Sequence, residues 1–223
     1  KVKIKGDKSL NKRNMAEMIK LMNQFGAEFF PKNKFHFPLI LNSSNYPISI
    51  SYNSGKSAQL KSAVILAGLN ANGQTLINEN EISRDHTENI LIRNKNSFKI
   101  LKKKIRKIIV NGKKALKNFS IKIPGDPSSA AFFVALTILQ NNSKIRIKNV
   151  CLNPSRIGFY ELLKKSGAKI KLKNLKKINN EIVGDILAES SSLKPIKATK
   201  DYYVKATDEF PILFIISALT KGV

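Results

Sequence analysis

Apolar residues recur at helical spacing in NMAEMIKLMNQFGAEFF (14–30) and in IGFYELLKKSGAKIKL (157–172), and each run passes through Gly-Ala into a short strand-like segment. The pattern predicts a helix, a left-handed stop at Gly26 or Gly167, and a strand. TENILIRNKNSFKI (87–100) reads as a weaker copy with Asn96 at the stop, because Asn is the usual second choice for that conformation. A second kind of helix, strongly apolar, is predicted to open at Ser57-Ala58, at Ser129-Ala130 and in PILFIISALTKG (211–222), whose end on Gly222 parallels an end near Gly73. YPISISY (46–52) and KIIVNGK (107–113) read as strands.

These pieces repeat. Ser57-Ala58 and Ser129-Ala130 stand 72 positions apart, and so do Arg84 of SRDH and Arg156 of SRIG. Units of about seventy residues, each running helix, strand, turn, helix, strand with further strands, argue for α/β layers with helices packed on sheets. The register puts Lys1 inside one unit and Val223 inside another, so the sequence reads as the middle of a longer protein.

With 223 residues, 42% of them hydrophobic, the chain can bury the core of one large domain or two small ones. Forty Lys+Arg against 15 Asp+Glu give a net charge of +25, which suits nucleic acid, an anionic membrane or anionic metabolites. The lysines are spread through KNKF, LKKKIRK, NGKKALK and LKNLKKI beside abundant Asn, and Trp is absent, which weakens the nucleic-acid reading. The single Cys151 excludes an internal disulfide framework and a multi-cysteine zinc site, and only His36 and His86 offer imidazole. The longest apolar run, Ala63 to Leu69, is far short of a membrane span, and KVKIKGDK has no apolar signal core. A soluble, cytoplasmic protein is expected.

Five segments carry candidate chemistry. GKS at 55–57 lacks the glycine a Walker loop needs five positions earlier, where Ile50 stands, so ATP binding there is set aside. What remains is Ser57 as a helix cap, with Ala58 and Gln59 in a first turn whose N–H groups suit phosphate or carboxylate. SRDHTE (83–88) offers Ser83 or Asp85 as a cap, Glu88 as the partner in a capping box, and Arg84 as a forked ligand for an anion. A metal or triad role for His86 has no second His or Cys near it in sequence. PGDPSSAAFF (124–133) reads as a sharp turn and helix start, and GDKSLNKRNM (6–15) as a strand-to-helix turn presenting Ser9, Lys12 and Arg13. In TDEFPILF (207–214), Asp208 is either a helix cap or a general base in a cationic pocket.

In this order, GDKSLNKRNM, SAQLKSAVILAGLN, SRDHTE, IPGDPSSAAFF, NPSRIGFYELLKKSGAKI and DEFPILFIISAL closely resemble the enolpyruvylshikimate-phosphate synthases, in the branch whose anion-binding helix begins Ser-Ala-Gln. The resemblance covers essentially the whole chain. It implies an α/β fold of two lobes, each built from βαβαββ units as an inside-out α/β barrel, with both lobes incomplete here. Residues 1–122 would belong to the first lobe and 123–223 to the second. The implied reaction moves the enolpyruvyl group of phosphoenolpyruvate to the 5-hydroxyl of shikimate 3-phosphate through a tetrahedral intermediate that expels phosphate. No metal or organic cofactor is implied, and the family is usually monomeric.

Carried over residue by residue, Ser57, Ala58, Gln59 and Arg84 match contacts to shikimate 3-phosphate, and Arg13 and Gln59 match contacts to phosphoenolpyruvate. Asp208 matches the carboxylate that holds the shikimate hydroxyls and helps deprotonate the attacking one. The family's Arg-Pro dipeptide is Arg13-Asn14 here, which keeps the charge but not the helix start that Pro would fix. The family's Lys-Ser…Arg segment, its Asn-Ala-Gly-Thr loop and its Arg-x-Lys-Glu motif have no counterpart, so this chain alone is expected to be inactive. The rival within the same chemistry is the UDP-N-acetylglucosamine enolpyruvyl transferase, which uses a cysteine on a mobile loop. Cys151 instead ends the apparent strand KIRIKNVCL. The rival from another class is a basic nucleic-acid-binding protein.

Overall fold

One strand order recurs three times along the chain. The computed structural model describes residues 1–102 and 105–220; Lys103 and Lys104 of the LKKKIRK run and the helix end expected at Gly222 lie outside the described residues. The chain divides into two compact units, residues 1–83 with 90–118, and residues 84–89 with 119 onward.

The first unit opens with β1 (Val2–Ile4), α1 (Ala16–Gln24), β2 (Glu28–Phe30) and β3 (Leu39–Asn42), forming an antiparallel sheet in the order β1-β3-β2. It continues with β4 (Ser51–Ser54), α2 (Ala58–Asn70), β5 (Gln74–Glu79), α3 (His86–Leu91), β6 (Phe98–Lys102) and β7 (Arg106–Asn111). These four strands lie in the order β4-β5-β7-β6, with β4 parallel to β5 and the other pairs antiparallel. That is one full βαβαββ repeat, and the β1-β3-β2 sheet is the later part of another. Helix α3 begins within the residues of the second unit and ends within those of the first.

The second unit contains α4 (Pro127–Leu139), β8 (Lys144–Cys151), α5 (Gly158–Lys165), β9 (Lys169–Ile178) and β10 (Glu181–Glu189), with the strands again in the order β8-β10-β9. The strand that should precede α4 shrinks to one parallel bridge, Gly125 to Val150. Then follow α6 (Lys200–Lys205), a 3-10 turn Thr207–Glu209, and α7 (Phe210–Ala218). The architecture is the mixed α/β one expected, with sheets that do not close.

The helix stops follow the sequence at two of the three expected places. Gly26 and Gly167 take φ of +90° and +98°, and the next amides reach back to Met22 O and Leu163 O, closing α1 and α5 in the same way. Asn96 is a correction: it is not left-handed. After α3 the carbonyl of Asn94 accepts from both Ser97 and Phe98, so a different turn leads into β6.

Two further corrections concern boundaries. Ser129 lies inside α4, because Asp126 is the cap; its carboxylate accepts from the amides of Ser128 and Ser129 and lets Pro127 take the first helical position. YPISISY begins with only a parallel bridge, Ile48 to Asn72, and the strand itself starts at Ser51.

Each unit has its own apolar core. In the first, α2 packs so closely on β5 that a Cβ at Gly68 would meet Thr75 at 3.0 Å, while Val64, Ile65, Ile77 and Ile108 are sealed from solvent. In the second, Phe159, Leu163, Val134 and Ile186 are fully buried, and each such side chain contributes about 2 kcal/mol. Helices α4 and α7 leave Phe132, Phe133, Phe214 and Ile215 more than half exposed. Among the described residues no helix is long and apolar enough to cross a membrane.

Candidate anion-binding site

In the first unit, Ser57 caps α2 as expected: its hydroxyl accepts from the amide of Leu60 at 3.3 Å. Ser57 and Gln59 are exposed, so the first turn of α2 presents its free amides to solvent. A helix of 13 residues ending in this way is suited to an anion. One turn further in, Lys61 is completely buried and donates to Glu79 Oε1 at 2.7 Å. Glu79 also accepts from the Ser83 amide at 3.1 Å and hydroxyl at 3.3 Å, and pairs with Arg106. Burial pushes the Glu79 carboxyl up, but the Lys61 and Ser83 hydrogen bonds and the two cations hold it below the ordinary value. Ser83 therefore holds Glu79 and does not cap α3.

Arg13 follows a 3-10 turn, Leu10–Lys12, in extended conformation at φ −74°, ψ 136°. It is exposed, and among the described residues its guanidinium has no ion-pair partner. Asn14 was expected to leave the helix start looser than a proline would, but its side-chain oxygen accepts from the Ala16 amide at 2.8 Å and holds the approach to α1.

In the second unit, Arg84 and Asp208 meet. Arg84 Nη2 donates to Asp208 Oδ2 at 2.8 Å, and Arg156 Nη2 stands 3.9 Å from the same oxygen. Asp208 sits in the Thr207–Glu209 turn, and α7 has no side-chain cap bond from its N-terminal residue, so the capping alternative for Asp208 falls. Arg156 extends the group. It donates to Asp126 Oδ1 at 2.9 Å and to Ser128 Oγ at 2.7 Å, and Ser128 in turn donates to buried Glu209. Burial pushes the Glu209 carboxyl above its ordinary value, against the pull of Ser128 and Arg156. Asp126 moves the other way, because the Ser129 hydroxyl and the cap amides outweigh its burial.

The structure thus joins Arg84 to Asp208 in the second unit, and in the first keeps Ser57, Ala58 and Gln59 together at the start of α2 and carries Arg13 at the end of the Leu10–Lys12 turn. Sequence reasoning used Arg156 only as a repeat marker, although its equivalence to Arg84 was the signal that it also serves an anion group. Ser128, Glu209, Lys61 and Glu79 were missed. Lys61 had a signal, a lone charge inside an apolar helix, whereas Glu79 in INENEIS had none.

His86 and Cys151 also come together, although they are distant in sequence. His86 Nδ1 lies 2.8 Å from Glu181 Oε1, and Cys151 Sγ lies 3.9 Å from Glu181 Oε2. Cys151 is buried at the end of β8, and burial pushes its thiol up, which does not suit a loop nucleophile.

Repeated βαβαββ units carrying cationic residues and an open helix end define an enolpyruvyl-transferase type of protein. The EPSP synthase (3-phosphoshikimate 1-carboxyvinyltransferase) family model matches residues 1–223, and the chain belongs to that family. It is 38% identical over 219 residues to the 3-phosphoshikimate 1-carboxyvinyltransferase of Caldicellulosiruptor bescii, covering 97% of this chain and 51% of that protein. With the enzyme of the same name from Thermodesulfovibrio yellowstonii the identity is 41% over 227 residues, covering 97% and 50%. The EPSP synthase structure from Acinetobacter baumannii superposes with a TM-score of 0.80 at 34% identity, over 99% of this chain and 50% of that one. The enolpyruvyl transferase NikO from Streptomyces tendae, at 12% identity and TM-score 0.65 over 92% and 49%, shares the fold. The chain spans about half the length of the curated relatives it matches.

Proposed function

We propose that this chain supplies part of the substrate-binding surface of an enzyme that transfers the enolpyruvyl group of phosphoenolpyruvate to the 5-hydroxyl of shikimate 3-phosphate. The observation that carries the reading is the Arg84–Asp208 pair, in which a guanidinium suited to phosphate is held beside a carboxylate suited to hydroxyls. A substrate phosphate takes over the Arg84 fork, which frees the Asp208 carboxylate to accept a hydrogen bond from the substrate. Asp208 then receives the proton of the 5-hydroxyl as its oxygen bonds to C2 of phosphoenolpyruvate, while the C2–C3 double bond opens and C3 takes up a proton from an acid outside this chain. Collapse of the tetrahedral intermediate breaks the bond from carbon to the phosphate oxygen as C3 gives its proton back to a base outside this chain and the C2–C3 double bond reforms, and inorganic phosphate leaves.

In the first unit, Ser57, Ala58 and Gln59 serve the shikimate phosphate through the α2 terminus, and Arg13 with Gln59 serves phosphoenolpyruvate. Residues 1–122 and 123–223 are assigned to two different lobes of a monomeric, cytoplasmic enzyme that needs no cofactor or metal for this reaction. The exposed apolar faces of α4 and α7 are where further helices of the second lobe pack. Because the chain holds no Arg-x-Lys-Glu motif, it is inactive alone. The buried Cys151 disfavours the UDP-N-acetylglucosamine reading.

The test has two arms, both with the 223-residue chain. Phosphate release from phosphoenolpyruvate and shikimate 3-phosphate should stay at the blank rate. Calorimetric titration should show shikimate 3-phosphate binding that weakens about tenfold in Arg84→Ala, the scale of one charge-assisted contact. Turnover by this chain alone overturns the inactivity, and no response to shikimate 3-phosphate together with steeply salt-dependent nucleic-acid binding overturns the function.

A further inference from the structure

We propose that His86, Cys151 and Glu181 form a binding site for a divalent cation of the zinc class in the second unit. The three side chains come from three elements: His86 opens α3, Cys151 ends β8 and Glu181 opens β10. Their ligand atoms all lie within 4.8 Å of one another, with His86 Nδ1 2.8 Å and Cys151 Sγ 3.9 Å from the two oxygens of Glu181. Tetrahedral zinc with bonds of about 2.0–2.3 Å sets such donors roughly 3.3–3.7 Å apart, so side-chain shifts on the order of 1 Å close the group on an ion.

The donors select the metal. Imidazole, thiolate and carboxylate together suit zinc or cobalt(II), whereas magnesium and calcium want oxygen alone. Three protein ligands leave a fourth position for water. Cys151 and Glu181 are each only 7% exposed, while the His86 side chain is 37% exposed, so the ion enters past the imidazole.

The surrounding groups already orient the carboxylate. Asn89 Nδ2 donates to Glu181 Oε1 at 3.2 Å and Asn153 Nδ2 to Oε2 at 2.9 Å. Asp85 Oδ1 accepts from both amides, at 3.3 Å from Asn89 and 2.8 Å from Asn153. Outer partners of this kind fix ligand geometry in metal sites. On binding, the Cys151 thiol proton passes to water, the His86 proton moves to Nε2, and the His86–Glu181 hydrogen bond is replaced by two metal bonds. The ion clamps residues 84–89 to β8 and β10, and Arg84 lies within that segment. The site stands independently of the transferase reading.

Cobalt(II) titration of the 223-residue chain tests the proposal. The expected result is one equivalent bound, with a thiolate-to-cobalt charge-transfer band in the near ultraviolet that zinc abolishes by displacement. Cys151→Ser should remove the band. His86→Gln, at a half-exposed position that tolerates the change, should weaken binding by at least the roughly 10–100-fold that losing a group behind a ligand costs, while His36→Gln, at the other histidine, should not. A wild-type protein without the band, or a His86→Gln protein binding as tightly as wild type, overturns the proposal.

Discussion

Arg84 and Asp208, 124 positions apart, share a hydrogen-bonded ion pair of 2.8 Å. With the Asp208 side chain 47% exposed, the pair is worth at most about 1 kcal/mol, which leaves Arg84 able to exchange its carboxylate for a phosphate. Asp208→Asn should therefore shift the melting temperature by less than about 4 °C. It should also tighten binding of inorganic phosphate a few-fold in a phosphorus NMR titration, because the competing charge is gone, by an amount within the worth of a surface pair. Adding Arg84→Ala should cancel that gain, and weaker phosphate binding by Asp208→Asn alone would contradict the exchange.

The Lys61–Glu79–Arg106 group behaves differently because it is sealed. Glu79→Gln removes the buried charge that Lys61, Arg106 and Ser83 share, and breaking such a sealed group should cost about 3–5 kcal/mol in urea unfolding. Lys61→Met should cost less, since Glu79 keeps Arg106 and Ser83 and the methionine fills the space. If the Lys61 change proved the more damaging, Glu79 would not be the centre of the group.

Two carboxyls should bend the pH–stability curve in opposite directions. Asp185 is held at about 2 by Arg146, the Asn149 amide and Asn174, so its contribution is present above its ordinary 3.8 and is lost as pH falls toward 2. Glu209 is raised above 4.5 by burial, so its contribution is present below 4.5 and is lost as pH rises through the higher folded value. Urea midpoints over a pH series should show Asp185→Asn flattening the acid limb. Glu209→Gln should gain on wild type as pH rises from about 4 toward neutrality. A Glu209→Gln curve parallel to wild type would show that Glu209 ionises without penalty.

What the sequence revealed depended on how local the cause was. The stops at Gly26 and Gly167 were legible because glycine at a helix end has one economical use. Asn96 misled because Asn94, four positions before Phe98, organises that turn: its Oδ1 accepts from the distant Lys117 amide and its Nδ2 donates to Leu91 O. Ser83 looked like a cap, yet a carboxylate four residues earlier took both its amide and its hydroxyl. The family resemblance pointed to Arg84 and Asp208 one at a time. Their contact, like that of His86 with Glu181, depends on long-range folding that local patterns do not carry.

The absence of a Walker loop makes Gly55 a sensitive control. A Cβ there meets nothing within 4 Å, and its backbone is not left-handed. Gly55→Ala should leave the fold unchanged, and phosphate binding too, because the function proposed above assigns phosphate to the α2 amides and Arg84 and not to a glycine loop. By contrast, a Cβ at Gly112 would fall 1.8 Å from the Ala71 carbonyl, so Gly112→Ala should unfold the first unit well below the wild-type temperature. Loss of phosphate binding in a well-folded Gly55→Ala protein would reopen the nucleotide-loop reading.

Asn14 offers the last test, because it stands where the resemblance to the family implies a proline. Arg13, at φ −74° and ψ 136°, already has the extended conformation that a following proline requires. Asn14→Pro therefore loses the 2.8 Å bond to the Ala16 amide but gains a fixed φ, and stability should change by less than about 1 kcal/mol. Asn14→Ala loses the bond and gains nothing, and should cost about 1 kcal/mol. Thermal melts of the two variants decide the matter: if Asn14→Pro proved the less stable, the Asn14 side chain would be doing more than standing in for a ring.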